Sequence, residues 1–248
     1  MCASIKTSDT DMSGFITFEG PDGSGKTTQI LALHERLVRE GFKVLCVREP
    51  GGTAIGDQIR LILHDTRNVE LRPHAELLLY SASRAQLVGQ VIRPALESGW
   101  LVLCDRFAES TLAYQGYGRG LDLQALKAIT QFATGGLRPD LIVYLDIASE
   151  DGLLRRQSSA RAGRGEWNRM DQQDLEFYRR VRAGYLEMAA QDPQRWFLLD
   201  ATLPIASVQA AIWEKVVPFL RQQGKPASKG ATPRDVADQE VGRGGQHT

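Results

Sequence analysis

Short apolar runs bounded by Gly, Asp or Pro punctuate the chain at Phe15–Phe18, Val44–Val47, Trp100–Cys104, Leu141–Leu145 and Trp196–Leu199. They are too short for helices and too apolar for strands with one wet face, so they predict buried parallel strands. Longer stretches with helical spacing lie between them, at Thr27–Glu40, Ala54–His64, Ala75–Ser98, Leu123–Ala133 and Asp171–Ala190. These predict the crossover helices that parallel strands require. The expected architecture is a doubly wound α/β sheet of about five strands flanked by helices. Residues 1–13 and 222–248 hold too little apolar surface to offset the entropy of ordering, so they are expected to be disordered tails around one domain of residues 14–221. Ser158–Arg169, dense in Arg and Gly, predicts a mobile loop within a lid of about residues 155–170.

Charge narrows the partners. The 30 Lys and Arg balance the 30 Asp and Glu, which leaves no global basic field to draw the protein onto nucleic acid or an anionic membrane. The N-terminus is polar where a signal peptide would be apolar, and no run approaches eighteen apolar residues, so neither secretion nor membrane insertion is expected. Cys2, Cys46 and Cys104 form no close pair, and two of them sit in apolar runs. A reducing cytoplasm is the expected location.

Phosphate affinity must therefore be local. Gly20-Pro21-Asp22-Gly23-Ser24-Gly25-Lys26-Thr27 follows the first predicted strand and opens the first predicted helix, the context that gives a G-x-x-x-x-G-K-[ST] pattern its meaning. Its glycines let backbone N–H groups turn toward phosphate oxygens, and the helix N-terminus adds positive potential. Lys26 is expected to reach the β- and γ-phosphates of ATP and Thr27 to place its hydroxyl on Mg²⁺. Asp105-Arg106-Phe107 ends another predicted strand at the edge where open α/β sheets bind ligands. There Asp105 can hold Mg²⁺ through water and Arg106 can grip a phosphate with its planar fork, the plainer alternative being an ion pair that caps the strand. Asp146, at a similar strand end, reads as structural.

A phosphate loop alone serves hydrolases, motors and kinases. The GTPase pattern N-K-x-D is absent, whereas Arg155, Arg156, Arg161, Arg164 and Arg169 form an arginine-rich stretch suited to closing over a transferred phosphoryl group. Another nucleoside monophosphate kinase, a deoxynucleoside kinase or a catalytically silent nucleotide-binding module would share several of these features.

The stretches Phe18–Thr28, Arg48-Glu49-Pro50-Gly51-Gly52-Thr53, Asp105-Arg106-Phe107 and Ser110-Thr111-Leu112-Ala113-Tyr114-Gln115-Gly116 together resemble bacterial thymidylate kinases, and the resemblance runs from about Gly14 to Leu220. It implies a P-loop NTPase fold, a homodimer, and the Mg²⁺-dependent conversion of ATP and dTMP to ADP and dTDP. By position, it extends the ATP loop to Thr28, sets Asp22 near the acceptor sugar and phosphate, lines the dTMP pocket with Pro50 and Ser110, and puts Arg106 on the dTMP phosphate. Tyr80 would stack on thymine and Arg84 would hydrogen-bond a base carbonyl, with Thr111, Tyr114 and Gln115 nearby. Four-residue spacing lets Tyr80 and Arg84 share a helix face, but it equally allows a core aromatic and a surface charge. Gly23 stands where some relatives carry a phosphate-loop arginine, so the resemblance assigns the catalytic charge to Arg161 or Arg164 of the lid. An arginine introduced at position 23 is then expected to restore part of the rate lost with the lid arginine. Asn168 replaces an expected lid carboxylate, and Lys26 is expected to be an exposed loop residue.

Overall fold

The computed structural model of the chain describes residues 13–163 and 167–223. Five strands, β1 (Gly14–Glu19), β2 (Val44–Arg48), β3 (Leu101–Asp105), β4 (Leu141–Asp146) and β5 (Trp196–Asp200), form one parallel sheet in the order β2-β3-β1-β4-β5. The expected α/β sheet is present, and its strands fall within one or two residues of the apolar runs. Burial is graded, however. Every residue of β1 is buried, while the edge strands β2 and β5 are partly exposed, because an edge strand has a neighbour on one side only.

Side chains alternate between two cores. Ile16, Phe18, Leu103 and Val143 point to the face covered by α1 (Lys26–Arg39), where Leu33 and Leu37 are fully buried. Phe15, Val102 and Cys104 point to the other face, against Leu87 and Val88. The helix expected at 75–98 is one helical run in three parts: α3 (Pro73–Leu87), a π-turn at Val88–Ile92, and α4 (Arg93–Glu97). Between α1 and α3, α2 (Ala54–His64) follows β2 and starts at Thr53, whose hydroxyl accepts the Gly56 N–H. After β3 come α5 (Ala108–Thr111) and a second π-turn, Leu112–Gly118, then α6 (Leu123–Thr134), which begins at the Asp122 cap and ends at left-handed Gly135.

The lid region differs from its expectation. α7 (Ser149–Arg161) carries helix well into the predicted loop, and a 3₁₀ turn at Arg169–Gln172 closes it from the other side before α8 (Leu175–Gln191). Acidic Glu150 and Asp151 in the first turn of α7 and Arg161 in the last complement the helix dipole, which a reading of apolar runs overlooks. α9 (Ile205–Gln223), the last described element, packs against α1. Arg164 and most of both expected tails lie outside the described residues. Among the described residues, no helix is long and apolar enough to cross a membrane.

Candidate active site

Chain leaving β1 crosses to β2 beyond one side of β3, and chain leaving β3 crosses to β4 beyond β1. These opposite departures open a crevice at the strands' C-terminal ends, and a cleft of about 480 Å³ lies there. Its floor is the phosphate loop. Lys26, the first residue of α1, is not the exposed residue expected from sequence but 7% exposed, and its Nζ donates to the carbonyls of Gly20 (3.0 Å) and Pro21 (2.9 Å). Burial lowers its pKa to about 8, helped by Arg106 and opposed by Asp22, Asp105 and Glu19. Thr27 Oγ1 donates to Asp105 Oδ2 at 2.8 Å, which joins the hydroxyl and carboxylate expected at a cation. Gly23, Gly25 and Thr28 line the cleft, while Ser24 is buried beneath it.

Gly23 is left-handed (φ 82°), and a Cβ there would drive into the carbonyl of Gly152 in α7. Conversely, a Cβ on Gly152 would lie 2.8 Å from the carbonyl oxygen of Asp22. Backbone meets backbone at this crossing, so an arginine cannot take position 23 without moving the lid helix. The expectation that such a substitution would restore lid-arginine activity is therefore corrected.

Arg106 stands opposite the loop. Its φ is 69°, the one described non-glycine in the left-handed region. Its Nη2 donates to Asp22 Oδ1 (2.7 Å) and to the Tyr114 hydroxyl (3.0 Å), which itself donates to Asp22 Oδ2 at 3.2 Å. Burial alone would raise the Asp22 pKa, but Arg106, Lys26 and Arg156 outweigh it and hold the carboxyl well below its usual range. Behind Arg106 lies Glu19, fully buried, accepting from Phe107 N (2.8 Å), Ser110 Oγ (2.6 Å) and Tyr185 Oη (2.8 Å). Burial raises its pKa against the pull of those donors and of Arg106.

The far end of the cleft belongs to α3. Tyr80 and Arg84 both line it, along with Pro50, Thr111 and Gln115. Arg84 is no surface charge: it is 1% exposed, its Nε donates to Glu49 Oε2 at 2.8 Å, its Nη1 to Thr111 Oγ1 at 2.9 Å and its Nη2 to the Phe107 carbonyl at 2.9 Å. Burial pushes Glu49 up to about 7 despite Arg84, with Glu19 adding repulsion. Gln115 Nε2 is held by Glu76 at 2.9 Å.

The lid residues separate into groups. Arg155 and Arg156 of α7 line the cleft, whereas Arg161 is exposed at the end of the helix and does not. Arg169 is buried and structural: its Nη2 meets Glu76 at 2.5 Å and its Nε donates to the Leu63 carbonyl. Asn168 stands where a lid carboxylate was expected, and the carboxylate of this segment lies three residues later. Asp171 grips Arg156 with both oxygens (2.8 and 2.9 Å) and accepts the Asn168 N–H, while Asn168 Oδ1 caps the Met170 N–H. Asp146 is structural, paired with Arg182 of α8.

Several lining residues were given no role by the sequence reading: Arg48 and Glu49, which belong to a stretch that carries the resemblance, and Arg60 and His64, which do not. Arg60 and His64 are four apart on α2, and that shared face was the available signal. Burial lowers His64 to about 3, with Arg60, Arg48 and Arg156 pushing the same way, and its Nδ1 is buried without a partner. Glu19 lies in the Phe18–Thr28 stretch but was read only as the end of an apolar strand, and Tyr185 carried no signal inside a long helix.

Comparison with known proteins adds names to this geometry. The family model described as thymidylate kinase matches residues 18–212. The chain is 54% identical over 216 residues to a thymidylate kinase of Roseiflexus sp. (strain RS-1), covering 84% of this chain and 96% of that protein. It is also 54% identical over 202 residues to a thymidylate kinase of Deinococcus radiodurans, covering 82% and 95%. The crystal structure of thymidylate kinase from Ehrlichia chaffeensis superposes with a TM-score of 0.67 at 32% identity, over 83% of this chain and 99% of that one.

Proposed function

The chain belongs to the thymidylate kinase family, and from that premise we propose how its P-loop NTPase fold divides the work of moving the γ-phosphoryl group of ATP onto dTMP, the reaction this enzyme catalyses. ATP lies along Gly20–Thr28, its phosphates cradled by backbone N–H groups and its β,γ end met by Lys26. Lys26 is held by two loop carbonyls that a phosphate can replace as partners. Mg²⁺ is the cation assigned here. A threonine hydroxyl beside an aspartate at 2.8 Å suits a hard ion, with Thr27 binding directly and Asp105 through water. When bound, the ion neutralises charge on the β- and γ-phosphates.

The acceptor reading rests on one observation: Arg106, Arg84 and Tyr80 line one and the same cleft as the phosphate loop. Arg106, braced by Asp22 and Tyr114, takes the dTMP phosphate; Tyr80 and Arg84 take thymine as stacking ring and donor to a carbonyl, with Pro50, Ser110, Thr111 and Gln115 closing the pocket around base and sugar. The charge that closes on the γ-phosphoryl comes from Arg161 or Arg164. A homodimer is supported by exposed Leu61, Leu78 and Phe132 on the neighbouring helices α2, α3 and α6, an apolar pattern that a second copy would cover. A cytoplasmic location fits Cys46 and Cys104, both unpaired.

The test mixes the protein with ATP and a panel of monophosphates and follows ADP. Turnover should be highest with dTMP, lower with dUMP, and poor with AMP, GMP and ribo-UMP. The thymine methyl alone is worth only about 1–3 kcal/mol, so dUMP discrimination is modest. AMP or GMP emerging as best acceptor would overturn the base-pocket assignment. In the same assay Arg161→Ala, Arg164→Ala or their combination should lower kcat about 10³-fold; if all three stay within a few-fold of the parent, the lid is not the source of the charge.

A further inference from the structure

Arg106 occupies a backbone conformation that side chains resist, and something must hold it there. The residue that follows supplies the answer. Phe107 donates its N–H to Glu19 Oε1 at 2.8 Å, so the buried carboxylate fixes the peptide on the C-terminal side of the left-handed turn. The other oxygen, Oε2, accepts two hydroxyls, from Ser110 at 2.6 Å and Tyr185 at 2.8 Å. The two hydroxyls also lie 2.8 Å from each other, and since each has one hydrogen, the hydrogens are shared between that contact and Glu19. Both hydroxyl oxygens accept from Arg106 Nη1, at 3.2 Å for Ser110 Oγ and 3.4 Å for Tyr185 Oη, and every hydrogen turned toward Glu19 leaves lone pairs for the arginine.

We propose that Glu19 is a positioning residue for Arg106, acting on its backbone through the Phe107 N–H and on its guanidinium through the hydroxyls of Ser110 and Tyr185. The inference rests on the reading that Arg106 holds the dTMP phosphate. Asp22 and Tyr114 fix one guanidinium nitrogen from the loop side, and the Glu19 relay fixes the other from behind, so the planar fork enters the cleft in one orientation before any ligand arrives. A neutral amide at position 19 breaks the relay's logic, because its NH₂ donates and turns a hydroxyl hydrogen toward the arginine. Tyr185→Phe deletes one arm and keeps the ring against Tyr144 and Trp196.

The experiment is a double-mutant cycle on dTMP affinity, measured by titration calorimetry for the parent, Tyr185→Phe, Arg106→Ala and the double variant, with Glu19→Gln as a second probe of the same relay. Tyr185→Phe should weaken dTMP binding about tenfold in the parent and less than twofold in the Arg106→Ala background, with ATP affinity within twofold in both. Glu19→Gln should follow the same pattern. A general packing role would instead weaken binding equally in both backgrounds, and that result, or undiminished dTMP affinity in Tyr185→Phe, overturns the proposal. Should Arg106→Ala itself leave dTMP affinity unchanged, the assignment of Arg106 to the phosphate fails, and the relay loses its object with it.

Discussion

Arg84 and Arg106 each meet a carboxylate at the cleft wall, yet the surroundings of the two pairs differ. The Arg84 side chain is 1% exposed and donates to Glu49, Thr111 and the Phe107 carbonyl, whereas that of Arg106 is 16% exposed, on a left-handed backbone, and donates to Asp22, Tyr114, Ser110 and Tyr185. Their carboxylates respond oppositely. Burial raises Glu49 against the pull of Arg84, while Arg106, Lys26 and Arg156 together overcome burial at Asp22. A pair in which burial prevails behaves as structure that also touches ligand; a pair embedded in cations behaves as a prepared anion site.

The strongest way to break this contrast is to truncate each arginine. Arg106→Ala should lower kcat/KM for dTMP about 10²–10³-fold, mainly through KM, with a small change in unfolding free energy. Arg84→Ala should do the reverse in emphasis, costing about 3–5 kcal/mol of stability because it strands a buried Glu49. Urea unfolding with steady-state kinetics on both variants decides it; equal stability losses would erase the distinction.

A subtler variant sharpens the base end. Glu49→Gln keeps the volume but loosens the clamp on Arg84, so a base bearing an amino group where thymine has a carbonyl should become a better substrate. We expect the dTMP-over-dCMP preference to fall about tenfold. An unchanged ratio would mean Glu49 does not govern how Arg84 is presented.

The smallest effect is on pH. Glu49 rises from 4.5 in the unfolded chain to about 7 when folded, so between those values the native state holds more protons and its stability falls as pH increases, levelling above about 7. Asp22 is depressed, and its contribution is lost only as pH falls below the ordinary carboxylate range. Urea midpoints from pH 5 to 8 should therefore decline more steeply in the parent than in Glu49→Gln. Parallel slopes would remove Glu49 as the titrating group.

The sheet was legible because a parallel strand buried on both faces must be apolar along its length, a local property. The helix α7 was not, since it is mostly polar; α9 was legible in principle, with Val208, Ile212, Val216 and Leu220 buried at four-residue spacing, but the reading of apolar runs passed over it. In the cleft, the phosphate loop and Asp105-Arg106 could be read from adjacent residues. Glu49, Arg60 and Tyr185 could not, because their roles arise from partners 10 to 166 positions away. Arg169 misled for the same reason: its charge suggested a phosphate, but its partner Glu76 lies 93 positions earlier.

The crossing of Gly23 and Gly152 has a meaning for how such enzymes can change. Gly23 is required by its left-handed backbone as well as by Gly152, and a side chain on either glycine would run into the other segment's backbone, so the two positions are coupled across distant codons. A lineage that drew its catalytic arginine from the lid could not exchange it for one in the loop by a single replacement. The first step would spoil the fit between loop and lid helix, and only a prior retreat of α7 would make the second step harmless. The two ways of supplying that charge are thus separated by a fitness valley written in backbone contacts.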